Sequence, residues 1–387
     1  MNQPEINVQA GSSINSQYVT PPGVLGPRAL NRALLARQHL LQRSTMPPLD
    51  MLEHLAGMQA QAQNPPYFGL WTRLESFRHE ALSSLILDRQ AVRIVLMRGT
   101  IHLVSARDSL KLRPHTQPML DRWLKGLMNK PLLGLDTAAV ALAARSLVEE
   151  RSRSYQELGL LLQQKWPDYA AEDLARAARA LVPLVQVPPR GIWGAGGQAL
   201  HTSLEAWLGS ALDDDAPLDE TILRYLGAFG PATVKDAQVW SGLTKLRDVF
   251  ERLRPRLAVF RDEAGNELFD LPDAPRPDPD SPAPVRFLSE FDNMLLSYAD
   301  RSRILAEPYR RLLFTVNGII RAAVLVDGFV RGMWTIERRQ SEATLTVQLF
   351  EPVLDRDRSA LEEEGARLLA FADADADHHS IRIEAGK

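Results

Sequence analysis

The sequence has no cysteine, which excludes disulfide bonds and metal sites built from thiolates. No stretch approaches the ~20 uncharged apolar residues that a membrane-spanning helix needs. The first 27 residues are rich in Asn, Gln, Ser, Pro and Gly and lack the apolar core of a signal peptide, so we predict a disordered tail over residues 1–27. These absences favour a cytoplasmic protein with no membrane partner.

Lysine is also scarce, because only seven of the 45 basic residues are lysines and the other 38 are arginines. Arginine offers a planar fork of N–H donors that fits phosphates and base edges. Codon usage in a GC-rich genome produces the same bias and is the commoner cause. The formal net charge of −3 argues mildly against a strongly basic nucleic-acid binder, although net charge can hide a polarised surface.

An order of helices followed by a β-hairpin occurs three times along the chain. The apolar spacing predicts helices that lead into paired β-prone runs at 92–97 and 100–104, at 184–187 and 192–194, and at 256–260 and 267–271. This is the order of a winged helix, in which the third helix can enter a DNA groove and the hairpin forms the wing. We predict winged-helix units over 28–130, 131–214 and 215–272; the alternative is an α+β domain in which these units serve only for packing.

The character of the sequence changes after residue 272. A proline-rich linker covers 273–284, and β-prone runs joined by the turn signals Asn317-Gly318 and Asp327-Gly328 follow within 285–387. Four or more antiparallel strands in about 70 residues suggest a small barrel or a strongly twisted sheet. The predicted fold is therefore α+β, with three tandem winged-helix units followed by a C-terminal antiparallel β-barrel-like domain.

Two glutamines are spaced so that they can share one side of the chain. We predict that the triplet Gln59-Ala60-Gln61 ends a helix over 48–60 and that Pro65 makes the following chain extend. In an extended segment, residues i and i+2 point to the same side, so two amides could hold one water molecule. Amides cannot act as general bases near neutrality, so such a site suits only a leaving group that already departs readily. A glutamine at a helix end is more commonly a cap or a surface residue.

Four stretches give the chain a resemblance to a known family. They are Leu55-Ala-Gly-Met-Gln-Ala-Gln61, Arg98-Gly-Thr-Ile-His-Leu-Val104, Gly230-Pro-Ala-Thr-Val-Lys-Asp236 with Trp240-Ser-Gly242, and Phe291-Asp-Asn-Met-Leu-Leu-Ser297 with Ala299-Asp-Arg-Ser-Arg303. Over about residues 28–350 the chain resembles the winged-helix DNA glycosylases of the AlkZ/YcaQ-like superfamily, which remove bulky alkylated bases and unhook interstrand crosslinks.

The resemblance implies a catalytic role for Gln59 and Gln61, which match the Gln-x-Gln form of the family's motif. Ala60 is smaller than the usual middle residue, which leaves the shape of the pocket open. The resemblance also implies three tandem winged helices, a C-terminal barrel, no metal and no cofactor. The expected substrate is double-stranded DNA that carries a cationic N7-alkylguanine or N3-alkyladenine, bound by a monomer at the nucleoid.

Five further residues are candidate DNA contacts. Arg98 and Arg190 lie at predicted hairpin turns, His102 lies on a predicted wing strand, and Arg301 and Arg303 lie in a polar cluster with Asp292 and Asn293. For each, the alternative is structural: an ordinary turn arginine, a buried histidine, or a salt-bridge network that pins the C-terminal domain to the helices. By resemblance, the hairpin at Asp327-Gly328 could probe the minor groove, and a plain turn is the alternative.

Three functional hypotheses remain open from the sequence. The leading one is a monofunctional DNA glycosylase that acts in repair or in antibiotic self-resistance. The second is a winged-helix transcriptional regulator that binds DNA without catalysis. The third and weakest is a scaffold that packs its winged helices against a protein partner.

Overall fold

The computed structural model describes residues 23–384 of the 387-residue chain, and in them short helices alternate with strand pairs, so the fold is mixed α+β. The N-terminal region contains β1 (Val24–Leu25), α1 (Pro27–Arg37), α2 (Pro48–His54), β2 (Met58–Gln59), α3 (Pro65–Trp71), α4 (His79–Leu87), β3 (Ala91–Val95) and β4 (Ile101–Ser105). The helix predicted over 48–60 is therefore shorter than expected, since it ends before the glutamine triplet.

A long helix then leads into the second region. This part of the chain contains α5 (Ala106–Met128), α6 (Thr137–Glu150), α7 (Tyr155–Lys165), α8 (Ala171–Leu181), β5 (Leu184–Val187), β6 (Leu200–Ser203) and α9 (Leu204–Leu208). The sequence did not predict α5, which carries Pro114 and Pro118 inside it. Its apolar residues Leu112, Leu120 and Leu124 are buried, and this packing holds the helix despite the backbone hydrogen bonds that proline removes.

The third region repeats the order of helices followed by a strand pair. It contains α10 (Leu218–Phe229), α11 (Val234–Ser241), α12 (Arg247–Leu253), β7 (Ala258–Asp262) and β8 (Glu267–Asp270). Thr233 and Asp236 form a reciprocal capping box that starts α11, with Oγ1 of Thr233 accepting from the Asp236 N–H at 3.0 Å. The assignment of the three regions as winged helices, and their domain boundaries, stay predictions.

The C-terminal region forms one sheet that is covered by a helix. Its elements are β9 (Arg286–Leu288), α13 (Glu307–Leu313), β10 (Ala323–Val326), β11 (Phe329–Arg339), β12 (Glu342–Leu349), α14 (Asp355–Ala372) and β13 (His378–Glu384). The strand order is β13-β12-β11-β10-β9, with β13 parallel to β12 and the other pairs antiparallel.

The predicted C-terminal barrel is wrong, because this sheet is not closed: β13 and β9 are its edges within residues 23–384. Helix α14 packs on β9, β12 and β13 and buries Leu361, Leu368 and Leu369 against them. The apolar face of the sheet is therefore covered by a helix instead of by strands that curl onto themselves.

The strand pairs of the first two regions join in a second sheet, with the order β2-β4-β3-β5-β6. In it, β3 pairs antiparallel with both β4 and β5, so the glutamine-bearing strand β2 lies at one edge, next to β4. A third sheet has the order β1-β7-β8 and ties the start of the described chain to the third region, because Val24 and Leu25 pair with Arg261 and Asp262.

Two segments predicted to be loose are packed where the structure describes them. Residues 1–22 of the predicted tail lie outside the described range, whereas Val24 and Leu25 form a strand. In the proline-rich segment 273–284, the carbonyl of Ser281 accepts from Arg32 Nε at 2.7 Å, and that of Pro275 accepts from Arg37. The segment therefore lies along α1 and is not a free linker.

A buried ion pair links the C-terminal region to the first. Arg73 donates to both carboxylate oxygens of Asp292, at 2.9 and 2.8 Å, and donates to Gln38 Oε1 at 3.0 Å. The next residue, Asn293, donates to the carbonyl of Gly57 at 2.8 Å, directly before β2. Asp292 and Asn293 therefore belong to a buried polar network that holds the C-terminal region against the first region, which is the structural alternative predicted for this cluster.

Removal of the Asp292 charge should be costly. The substitution Asp292→Asn leaves the buried guanidinium of Arg73 without a counter-ion, so we expect the free energy of unfolding to fall by about 3–5 kcal/mol in urea titrations. The matched control is Asp280→Asn, because the side chain of Asp280 is 95% exposed and lies 3.8 Å from Arg28. A loss for Asp292→Asn no larger than that of the control would contradict this role.

Candidate active site

The first glutamine of the triplet lies in the short strand β2, and the chain bends at Gln61. Gln59 lies opposite His102 in the β2–β4 pair, and the Ala60 N–H donates to the carbonyl of Ile101 at 2.8 Å. Helix α2 stops before it because Ala56 and Gly57 both have positive φ, and a Cβ at Gly57 would lie 2.4 Å from a methyl of Val104. The change of direction at these residues, and not Pro65, ends the helix before Gln59.

A buried arginine holds the backbone of the triplet. Arg93, on β3, donates through Nη2 to the carbonyls of Ala60 at 2.6 Å and Ala62 at 3.3 Å, and through Nε to Gln186 Oε1 at 3.1 Å. Burial, with the charge of Arg190 second, lowers the pKa of Arg93 to about 10, so it remains charged at neutral pH. Sequence reasoning missed Arg93, although a single charged residue inside an apolar strand was the available signal.

Arg98 lies at the β3–β4 turn and folds back over the sheet. Arg98 and Gly99 have consecutive positive φ values of 58° and 70°, and the Thr100 N–H donates to the carbonyl of Met97 at 3.2 Å. This is the backbone pattern of a tight type I′ hairpin. The guanidinium donates to Gln59 Oε1 at 2.9 Å and also to the carbonyl of Trp240 at the end of α11.

The contact with Arg98 fixes which way the amide of Gln59 faces. A guanidinium has only donors, so the Gln59 atom at 2.9 Å is the oxygen, and Nε2 is free to donate elsewhere. Gln59 is only 7% exposed, and its Nε2 has no hydrogen-bond partner within residues 23–384. Gln61 is exposed, and its Oε1 accepts from the Ile101 N–H at 3.3 Å. The two amides thus differ in their surroundings, since that of Gln59 is buried beside Arg98 and that of Gln61 is exposed.

His102 is fully buried and neutral. Burial, followed by the nearby charge of Arg98, lowers the pKa of His102 to about 3. Its Nδ1 lies 3.0 Å from the carbonyl of Thr100 and its Nε2 lies 3.3 Å from Arg98 Nη2. A carbonyl accepts and a guanidinium donates, so the proton is on Nδ1 and Nε2 accepts. His102 therefore supports Arg98 and, at 0% exposure, is not a DNA contact.

The side chains that contact the glutamine triplet are those of Arg93 and Arg98, which are guanidinium groups. Within residues 23–384, neither Arg93 nor Arg98 forms an ion pair with a carboxylate, and the lone pair of His102 Nε2 faces Arg98. The same residues contain no cluster of three or more His, Asp or Glu side chains that could hold a metal ion. The arrangement can orient a water molecule, but it cannot remove a proton from it at neutral pH.

The structure separates the predicted DNA contacts into two groups. Arg303 is wrong as a phosphate contact, because it is 5% exposed and donates to the carbonyl of Pro231 at 2.7 Å. Arg98, Arg190 and Arg301 are half-buried and keep part of their surface, so their contact with DNA stays a prediction. Arg301 donates to the carbonyl of Leu295 at 2.7 Å.

The hairpin at Asp327-Gly328 is not free to probe a groove. Asp327 accepts from Arg28 at 2.6 Å and also from Arg32, and the carbonyl of Gly328 accepts from Asn31 at 2.8 Å. The turn therefore packs on α1. The other turn signal, at Asn317-Gly318, is exposed, and the preceding Val316 is fully exposed.

The chain is similar to proteins of one family. The family model described as "DNA glycosylase AlkZ-like" matches residues 52–371. The curated "Interstrand DNA cross-link repair glycosylase" of Streptomyces sahachiroi is 25% identical over 372 residues, which cover 86% of this chain and 93% of that protein. The solved structure of the Streptomyces sahachiroi DNA glycosylase AlkZ has a TM-score of 0.76 and 22% identity, and covers 93% of this chain and 100% of that one. No helix within residues 23–384 is long and apolar enough to cross a membrane.

The neutral state of His102 can be measured directly. Imidazole ¹⁵N NMR should show the Nδ1–H tautomer and no titration of this ring at any pH above 4, because its pKa is about 3.

The unfolded chain takes up the proton near the ordinary value of 6.5, so His102 lowers the free energy of unfolding progressively as pH falls from about 6.5 towards 3. The His102→Asn variant should lose that part of the pH dependence, while His39 and His201, whose pKa values are about 4, retain theirs. Titration of the His102 ring near its ordinary value would contradict the assignment.

Proposed function

The chain belongs to the AlkZ-like DNA glycosylase family, and we propose that it hydrolyses the N-glycosidic bond of cationic alkylated purines in duplex DNA. The observation that carries this proposal is the pair of amides at β2 and the bend after it, whose partners are a guanidinium and a backbone N–H. Such a pair is suited to positioning and not to proton abstraction. An N7-alkylguanine or N3-alkyladenine fits, because its positive charge makes the base a good leaving group.

In the proposed reaction, Gln59 and Gln61 hold one water molecule next to the anomeric carbon. The bond from this carbon to the purine nitrogen breaks, and its electron pair neutralises the charge of the departing ring. The oxygen of the water then forms a bond to the same carbon, and the released proton goes to solvent. The catalytic contribution is the orientation of the water and the electrostatic stabilisation of the sugar cation by the amide oxygens.

Arg98 acts in this mechanism as a positioning residue. Its hydrogen bond to Gln59 Oε1 leaves the Nε2 hydrogens of the same amide free to bind the water oxygen. The second lone pair of Oε1 remains for the developing sugar cation. Without the guanidinium, the Gln59 amide can rotate by half a turn and present either its oxygen or its nitrogen to the water molecule.

The exposed position of Gln61 supports a bulky lesion as the substrate. A large adduct or a crosslinked base reaches an open strand edge more easily than a closed pocket. The Streptomyces sahachiroi relative is named for interstrand cross-link repair. We propose that this chain also acts on crosslinked DNA, either in repair or in antibiotic self-resistance.

Arginines on one exposed part of the C-terminal region are suited to the DNA backbone. Arg310, Arg311 and Arg321 lie near the exposed Val316 turn, and the half-buried Arg301 stacks on Phe314 beside them. Together with Arg190 they are the proposed phosphate contacts. Action as a monomer and a nucleoid location also stay predictions.

Substitution of either glutamine should abolish most of the base release. We expect Gln59→Ala and Gln61→Ala each to slow single-turnover release of N7-methylguanine from duplex DNA by about a hundredfold, since a misplaced nucleophile costs about that factor. Release is measured as alkali-labile strand breaks at the methylated position. Unchanged release by both variants would show that the assigned mechanism is wrong.

The exposed Gln348, on β12, offers a matched control. Gln348→Ala should release the base at the rate of the parent protein. All three variants should keep the parent's affinity for duplex DNA, and that affinity should fall as salt rises, because phosphate contacts release counterions. An affinity that does not depend on salt would contradict the proposed arginine contacts.

A further inference from the structure

A cavity of about 460 Å³ lies next to the segment that carries the glutamine pair. Its walls come from the start of α3, the loop after β5, the residue Glu290 after β9, the strand β11 and the end of α14. None of the side chains described above for the glutamine site lines this cavity. The proposed orientation of water at Gln59 and Gln61 therefore assigns no role to this cavity.

The unpaired charge of this cavity is negative. Its ionisable lining residues are Glu290 and Asp373. Asp373 is paired with Arg338 at 3.2 Å, whereas Glu290 has neither an ion pair nor a hydrogen bond within residues 23–384. Glu290 is exposed, although nearby protein atoms desolvate its carboxyl enough to raise its pKa. In a chain with 38 arginines, a cavity without a basic lining residue disfavours phosphate and favours a cation.

Three aromatic rings complete the wall. Phe68 lies 5.6 Å from Trp193 and 5.4 Å from Trp334 between ring centroids, in edge arrangements. Trp334 is fixed by its Nε1–H, which donates to the carbonyl of Leu288 at 2.9 Å. The backbone N–H of Trp193 donates to the hydroxyl of Tyr67 at 3.0 Å. Rings held in place beside an unpaired carboxylate attract a planar cation.

Short segments of the chain connect the cavity walls to the glutamine pair. Asn64 lines it and follows Gln61 by three residues, a separation that a chain can extend to at most about 11 Å. On the other wall, Glu290 precedes Asn293 by three residues, and Asn293 donates to the carbonyl of Gly57 just before β2. Both walls are thus joined by short segments to the strand that carries Gln59.

We propose that this cavity receives the positively charged alkylated purine ring, with Glu290 as the residue that selects a cationic base over an unmodified one. The proposal rests on the proposed function and identifies the site on the protein that recognises the lesion. Unmodified purines are neutral and lack the charge–charge attraction to the carboxylate. Cleavage neutralises the purine ring, so the attraction that holds the base ends with the reaction and the product is released.

The test is binding of a nucleoside to the full-length protein, without DNA and without cleavage of a polymer. Tryptophan fluorescence is followed while 7-methylguanosine or guanosine is added at neutral pH. We expect the methylated nucleoside to bind about tenfold more tightly than guanosine. The Glu290→Gln variant should lose most of this preference. Equal affinities in the parent protein, or an undiminished preference in Glu290→Gln, would overturn the proposal.

The control variant is Glu337→Gln, on the same strand as Trp334 but outside the cavity lining. It should keep the preference of the parent protein, and loss of the preference in this variant would also overturn the role of Glu290.

The Gln59→Ala variant separates the two proposals. If it binds 7-methylguanosine normally while no form of the protein releases N7-methylguanine from DNA, the glycosylase mechanism fails and the cavity stands. If the base is released but Glu290→Gln does not alter nucleoside preference, the cavity proposal fails alone.

Discussion

The candidate site depends on the direction in which Arg98 points. Two consecutive left-handed residues, Arg98 and Gly99, turn the chain so tightly that the guanidinium lies over Gln59 and reaches the end of α11. A non-glycine residue at positive φ costs on the order of 1 kcal/mol of strain. This one side chain orients the Gln59 amide, contacts the buried His102 and joins the first region to the third. Arg93 completes this frame by holding the backbone of the triplet from the opposite side.

The local part of this structure could be predicted from the sequence. Apolar periodicity predicted the helices before the hairpin that contains Arg98 and the antiparallel pair of strands around it. Both features depend on neighbours in the chain. The structural alternative for Asp292 was available for a similar reason, since an acidic residue in an apolar stretch requires a partner when it is buried.

The features that could not be predicted depend on contacts between distant segments. Arg98 reads as an ordinary turn arginine, because its partner Trp240 lies 142 residues away in the chain. Asp327 reads as a hairpin turn, but its interaction with Arg28 and Arg32 makes it part of a packed surface. Whether the C-terminal sheet closes also depends on contacts between distant segments, because α14, and not a further strand, covers β12. Glu290 gave no signal in the sequence, since its meaning comes from the aromatic rings that the fold places around it.

The central claim is that Arg98 acts in base release only through Gln59. A double-mutant cycle measures this directly, with Arg98→Ala, Gln59→Ala and the double variant compared in single-turnover release of N7-methylguanine from duplex DNA. Urea titrations verify that each variant is folded. The account predicts that each single variant is slowed and that the double variant is no slower than Gln59→Ala, because the two residues act as one unit. Losses that multiply in the double variant would show that Arg98 and Gln59 act independently and would contradict the account.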